Sequence, residues 1–152
     1  MSFEPRNPDY QARVREIFAR ATFVNDVGIV LLGCGPGWVE AELELAPRHV
    51  QQDGFAHFGV QATLADHAAG AAAGTLAAPD EAVLSVEFNQ SMLRPARGKW
   101  LFCRAEVLKP GRTLTRVESE VCAVDESGAR QLVAKARVAL ATIHLRGSLY
   151  AP

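Results

Sequence analysis

The stretch HFGVQATLADHAAGAAAG, residues 57–74, sets one acidic side chain, Asp66, among alanines, glycines and small apolar groups. From about Phe58 to Leu76 the alanines and leucines support a single helix, which the segment AAPDEA ends. A helix that is apolar nearly all round must be surrounded by other structure. An ionised carboxylate inside such a helix costs several kcal/mol, roughly, unless it is paired or hydrogen-bonded. Asp66 therefore has either a structural partner or a chemical task. At about 100° per residue, Gly59, Ala62, Thr63, Asp66 and Gly70 fall along one side of the helix. Small neighbours let another backbone come close or leave room for a ligand. Val60 and Leu64, on the opposite side, are expected to face a sheet.

Working outward, NPDYQARVREIFARATF predicts an N-terminal helix over about 8–22, with Tyr10, Val14, Ile17 and Phe18 at helical spacing and Asn7–Pro8 as its start. VGIVLLGCGPGWVEAELEL reads as a strand, a Gly-Pro-Gly turn and a second, alternating strand. Beyond the central helix come four β-like segments, Val83–Asn89, Trp100–Leu108, Leu114–Val124 and Gln131–Ile143, parted by RPARG, KPGR and DESGA. The economical arrangement is an α+β fold in which a curved antiparallel sheet wraps the long helix. One domain over 1–152 accommodates all of it.

The composition agrees. A 152-residue chain that is 49% hydrophobic suits one globular domain. Sixteen basic residues against 17 acidic ones give a net charge of −1, without the clustered basic excess of a nucleic-acid footprint. No apolar run approaches the roughly 20 residues of a membrane span. The N-terminal stretch is polar and lacks the apolar core of a signal peptide, so a cytoplasmic protein is expected. Cys34, Cys103 and Cys122 are scattered and form no C-x-x-C pair, and the four histidines show no ligand spacing. GCGPG is no phosphate loop, because no Lys-Ser/Thr follows it. His49 and His67 read as a loop and a helix-surface residue. Trp38 and Trp100 suit strand or core positions, with no basic ladder beside them.

DGFAHFG leads into the central helix, whose N-terminus offers unpaired N–H groups of positive partial charge. Asp66 lies about two turns further on, roughly 11 Å along the axis. Such an arrangement suits a carbonyl oxygen held by amides, with a base or nucleophile nearby. A carboxylate that only fixes local geometry fits the periodicity equally well.

HVQQDGFAHFGVQATLADHAAGAAA resembles the signature of the hotdog-fold thioesterases of the phenylacetate-pathway (PaaI-like) type: Asn-x-x-Gly-x-x-His-Gly-Gly, then a helix bearing Leu-x-Asp. LSVEFNQSMLRPARG and AEVLKPGRTL are similar to the strands and turn that follow, so the likeness runs from about Val27 to Thr142. It implies an acyl-CoA thioesterase in which Asp66 is general base or nucleophile. Gly54 and His57 match the glycine and histidine ahead of the helix. Gln51 falls at the asparagine that a neighbouring subunit supplies to place substrate or water, and Ser85 matches a residue that orients the attacking water. Amides near Phe58 and Gly59 would hold the oxyanion, while Arg94, Arg97, Lys109 and Arg112 would meet the phosphates of coenzyme A. The resemblance also implies a homodimer, often paired again as a tetramer, with coenzyme A entering as substrate and no metal or resident cofactor.

Two departures stand out. Phe58 replaces the first glycine of His-Gly-Gly, and Gln51 is one methylene longer than asparagine. A hydratase or dehydratase on the same fold would need Asp-x-x-x-x-His, but Asp53 and His57 are one residue too close for it. A non-catalytic acyl-CoA-binding protein is the other alternative.

Overall fold

A computed structural model describes residues 2–145. Near the N-terminus, α1 (Tyr10–Arg20) buries Val14 and Phe18, and a short second helix, α2 (Thr22–Val27), follows directly. The apolar run from Val27 predicts a strand starting there. Instead Gly28, at φ +95°, takes the left-handed conformation that closes α2, and its N–H bonds to Val24 and Asn25 carbonyls. The first strand, β1 (Val30–Gly35), starts two residues beyond that cap. It turns into β2 (Trp38–Glu44), after which one 3-10 turn at Pro47–His49 leads to the central helix α3 (Phe58–Gly74). The remaining strands are β3 (Glu81–Met92), β4 (Trp100–Lys109), β5 (Leu114–Val124) and β6 (Arg130–His144).

All six strands form one antiparallel sheet in the order β1-β2-β4-β5-β6-β3. This is the hotdog fold, the sheet curling around α3. Alternation sorts each strand by face. Val39, Ala41 and Leu43 point inward from β2, while Glu40, Glu42 and Glu44 point away. The outer face is laced with ion pairs: Arg104 to Glu40 at 2.9 Å and Glu106 at 2.6 Å, and Lys135 to Glu118 at 3.0 Å and Glu120 at 2.9 Å. Pairs this exposed contribute little to stability and keep that face wet.

Leu64, Ala65, Ala68, Ala69, Ala71 and Ala72 of α3 are buried against the inner face. Alanine puts the helix axis close to the sheet, near enough for side chains of the sheet to reach its backbone. Ser119 Oγ donates to the Ala65 carbonyl at 2.9 Å in the dry interior. At the far end Thr75 Oγ1 donates to Ala72 O at 2.6 Å and accepts from Gly37 N–H at 2.8 Å. Complete enclosure of the helix does not occur within one chain, however. Gly59, Ala62, Thr63, Asp66 and Gly70 are only partly buried.

The segment before α1 is clamped to the start of β3. Arg6 forms a two-pronged pair with Glu81, which is 6% exposed, and Arg13 donates to the Ala78 carbonyl at 2.7 Å. The Arg6 hydrogen bonds hold the Glu81 carboxyl below its ordinary value of 4.5. A depressed folded-state value stabilises the protein above pH 4.5 and loses that contribution as pH falls through it. Thermal unfolding from pH 7 down to pH 3 is expected to show the wild-type Tm dropping more steeply than that of Arg6→Ala. Parallel curves would mean the clamp contributes nothing.

Candidate active site

The loop before α3 is built on one left-handed residue. Gly54 sits at φ +83°, its N–H bonding to Gln51 O at 3.0 Å while Gln51 N–H bonds back to Phe55 O at 2.9 Å. Two further bonds dock the loop: Ala56 N–H to Ala96 O at 2.9 Å and His57 N–H to His49 O at 2.8 Å. His49 lies in the loop, as expected, and is buried there, its ring bridging Ala46 N–H at 3.0 Å and the Val27 carbonyl at 2.6 Å. Gln51 folds its amide onto the same turn, the Oε1 accepting from Asp53 N–H.

His57 is the N-cap of α3. Its Nδ1 accepts from Gly59 N–H at 2.8 Å, the loop-fixing role that suits a histidine just ahead of a helix. That bond occupies one of the two amides considered for an oxyanion. Val60 and Gln61 N–H both turn to His57 O. Phe58 N–H has no partner among the described residues. Phe58 is thus the first-turn donor that remains free, and Gly59 is not.

Asp66 stands two turns along, partly buried in the stripe of small residues. Ser85 Oγ donates to its Oδ1 at 2.7 Å. A bulge between Ser85 and Glu87 shifts the register of β3 against β6 at that point. His67, next in sequence, does not lie on the surface as expected. It meets the Phe18 ring edge to face at 4.5 Å between α1 and α3, and burial pushes its pKa down against the opposing pull of Asp66. Cys103 is sealed behind the sheet, where burial raises its thiol to about 12, so it is no nucleophile.

A cleft of about 450 Å³ opens at the N-terminal mouth of α3, with Phe55, Phe58, Met92 and Leu93 among its walls and Gln51 and Arg94 at its edge. Arg97 lies over the Phe55 ring at 5.5 Å, and Arg94 donates to Leu132 O at 2.8 Å. Lys109 and Arg112 are elsewhere. They sit at the other end of β4, roughly 30 Å from Arg97 for a ten-residue strand. The β-register puts Ser85 level with Leu140 and Thr115, hence at the Lys109–Arg112 end of the sheet. The expected residues therefore form two groups in one chain: Gln51, His57, Phe58, Arg94 and Arg97 around the cleft, and Asp66 with Ser85 toward Lys109 and Arg112.

Comparison with known proteins gives this arrangement a family. The thioesterase superfamily matches residues 53–129. A Listeria monocytogenes 1,4-dihydroxy-2-naphthoyl-CoA hydrolase is 30% identical over 87 residues, 57% of this chain and 71% of that protein. A Haemophilus influenzae protein provisionally named an esterase is 32% identical over 92 residues, and the match spans 60% of this chain but just 66% of that protein's length. In structure, a thioesterase family protein of Silicibacter pomeroyi superposes with a TM-score of 0.86 at 36% identity, covering 89% of this chain and 98% of that one. The chain belongs to the thioesterase superfamily, whose chemistry is thioester hydrolysis.

The free amide offers a clean test, because proline is welcome at the first helical position and removes the N–H there, along with the ring that alanine also removes. His57 already has φ −60° and ψ 143°, the extended conformation that a residue before proline prefers. Phe58→Pro is expected to keep the Tm and lower kcat for thioester hydrolysis about 10²–10³-fold. Phe58→Ala, which retains the amide, is expected to lose far less. Equal losses in the two variants would show that the ring matters and the amide does not.

Proposed function

We propose that this protein is an acyl-CoA thioesterase of the PaaI-like type, working as a homodimer or a dimer of dimers in the cytoplasm. The Ser85–Asp66 hydrogen bond carries the reading: a carboxylate, oriented by a hydroxyl, faces out of a stripe of small side chains where a substrate has room. The coenzyme A ester named for the Listeria relative supports the substrate class.

In this scheme the thioester oxygen takes the Phe58 N–H at the positive end of α3. Asp66 accepts a proton from water as the water oxygen bonds to the carbonyl carbon, with Ser85 placing the two. The tetrahedral intermediate then collapses, the C–S bond breaks, and coenzyme A leaves as the thiol once it takes a proton. Direct attack by Asp66 gives an anhydride that water hydrolyses to the same products.

A second copy of the chain is part of the proposal. Phe58 and Asp66 are eight residues apart on one helix, about 12 Å along its axis. Catalytic groups must come within roughly 3 Å of the reacting atoms, so one chain does not aim both at one carbonyl. A two-fold partner laid along the free edge of β3 would bring the cleft of one chain to the Asp66 of the other. It would also bring Arg94 and Arg97 toward Lys109 and Arg112 for the phosphates of coenzyme A. Exposed Leu84 and Val86 on β3 make that edge apolar enough to pair.

Free-thiol release from short, medium, long and aryl acyl-CoAs tests the activity. Asp66→Asn is expected to lower kcat about 10²–10⁴-fold with an unchanged Tm, and Ser85→Ala to lower it less. Binding of acyl-CoA without hydrolysis by the wild type would instead mark a non-catalytic acyl-CoA-binding protein. Mixing Asp66→Asn with Phe58→Pro chains, each inactive, is expected to restore about a quarter of wild-type activity through hybrid dimers. No recovery on mixing would place both groups in one subunit.

A further inference from the structure

Among the described residues, Gln61 is the one large polar side chain in the most deeply buried part of the core, 1% exposed, and the mechanism above does not use it. Its Nε2 donates to the Ala56 carbonyl at 3.2 Å. Its Oε1 is shut off from water and has no hydrogen-bond partner among the described residues. A buried amide oxygen left unpaired costs about 1–3 kcal/mol. A leucine or methionine there would fill the same space without that penalty. Gln61 is also among the residues that line the cleft at the mouth of α3, with Phe55, Phe58 and Met92.

We propose that Gln61 determines specificity by accepting a hydrogen bond from a hydroxyl group on the acyl part of the substrate. The inference rests on the thioesterase reading and deepens it. Gln61 lies one turn along α3 from the Phe58 amide that holds the carbonyl oxygen, about 4.5 Å along the axis and on the lining of the same cleft, so it meets the acyl group beyond the carbonyl. The hydrocarbon walls of the cleft suit an acyl group better than the amide-rich arm of coenzyme A. The terminal torsion of a glutamine is soft, so a small turn of the amide presents Oε1 to the cleft while the side-chain stem stays packed. A site that offers an unpaired buried acceptor rejects the analogue lacking the donor, because that acceptor then stays unpaired.

The test compares matched substrates differing by one hydroxyl: 3-hydroxybutyryl-CoA with butyryl-CoA, and 4-hydroxybenzoyl-CoA with benzoyl-CoA. In at least one pair the wild type is expected to favour the hydroxylated member about tenfold or more in kcat/KM. Gln61→Met is expected to bring that ratio to within about twofold, through loss on the hydroxylated substrate, while its Tm holds or rises. Gln61→Leu serves as the second variant, and if neither folds the wild-type ratios decide. No preference in either pair overturns the proposal. So does an equal fall on all four substrates, which would mean that Gln61 serves coenzyme A or merely holds the loop through Ala56. If the wild type hydrolyses no acyl-CoA at all, the thioesterase reading falls with it, whereas hydrolysis without hydroxyl preference removes only this inference.

Discussion

Close approach between α3 and the sheet is the constraint on which the rest of the molecule depends. It is possible because the buried face of the helix is mostly alanine, with Leu64 and Gln61 its large side chains. The short distance makes Ser119 to Ala65 O and Gly37 N–H to Thr75 workable hydrogen bonds, and these fix the helix along its axis and about it. Dispersion and apolar burial supply the attraction, while the two polar pins choose one rotation among several that alanine would tolerate equally. That rotation places Asp66 where Ser85 can reach it.

A second consequence is that the chemistry is divided. A helix rises about 1.5 Å per residue, so a donor at its first turn and a carboxylate two turns on never converge in one chain. The sheet repeats the separation, with Arg94 and Arg97 at one end of its strands and Lys109 and Arg112 at the other. One chain thus holds two half-sites of complementary character, an amide donor beside an apolar cleft and an oriented carboxylate. In the dimer proposed above, antiparallel pairing of two β3 edges would turn two such halves into two whole sites.

The two faces of the sheet divide the remaining work. Its outer face carries Glu40, Glu42, Arg104, Glu118, Glu120 and Lys135 in rows of alternating sign, which keeps that side in water. Its inner face is mostly Val, Ala and Leu, with Cys103, Thr115 and Ser119 among them. Gln61 breaks that rule at the N-terminal mouth of α3, and Phe58 breaks the expected glycine pattern one turn earlier. Both exceptions border the same cleft, where departures from economical packing are most readily explained by what has to be bound.

Strand alternation, turn residues and the apolar helix determined the architecture from the sequence alone, since each depends on local periodicity: β5 runs over Leu114–Val124 as read, and α3 ends within two residues of its expected limit. The resemblance of residues 49–73, and of the downstream LSVEFN stretch, to a family pattern supplied Asp66 and Ser85, and the fold sets them 2.7 Å apart. Other features lay beyond reach because they depend on contacts between distant segments. Gly28 reads as part of a strand until its cap geometry is seen. His67 looks like a surface residue until its aromatic neighbour is in place, and nothing local marks the loop residue His49 as buried. The choice between the Phe58 and Gly59 amides turns on where a histidine ring points, and no sequence pattern encodes that. Gln61 carries no signal in the sequence at all. Its oxygen becomes conspicuous only when tertiary packing has removed every partner, because an unmet hydrogen bond is a property of the surroundings and not of the residue.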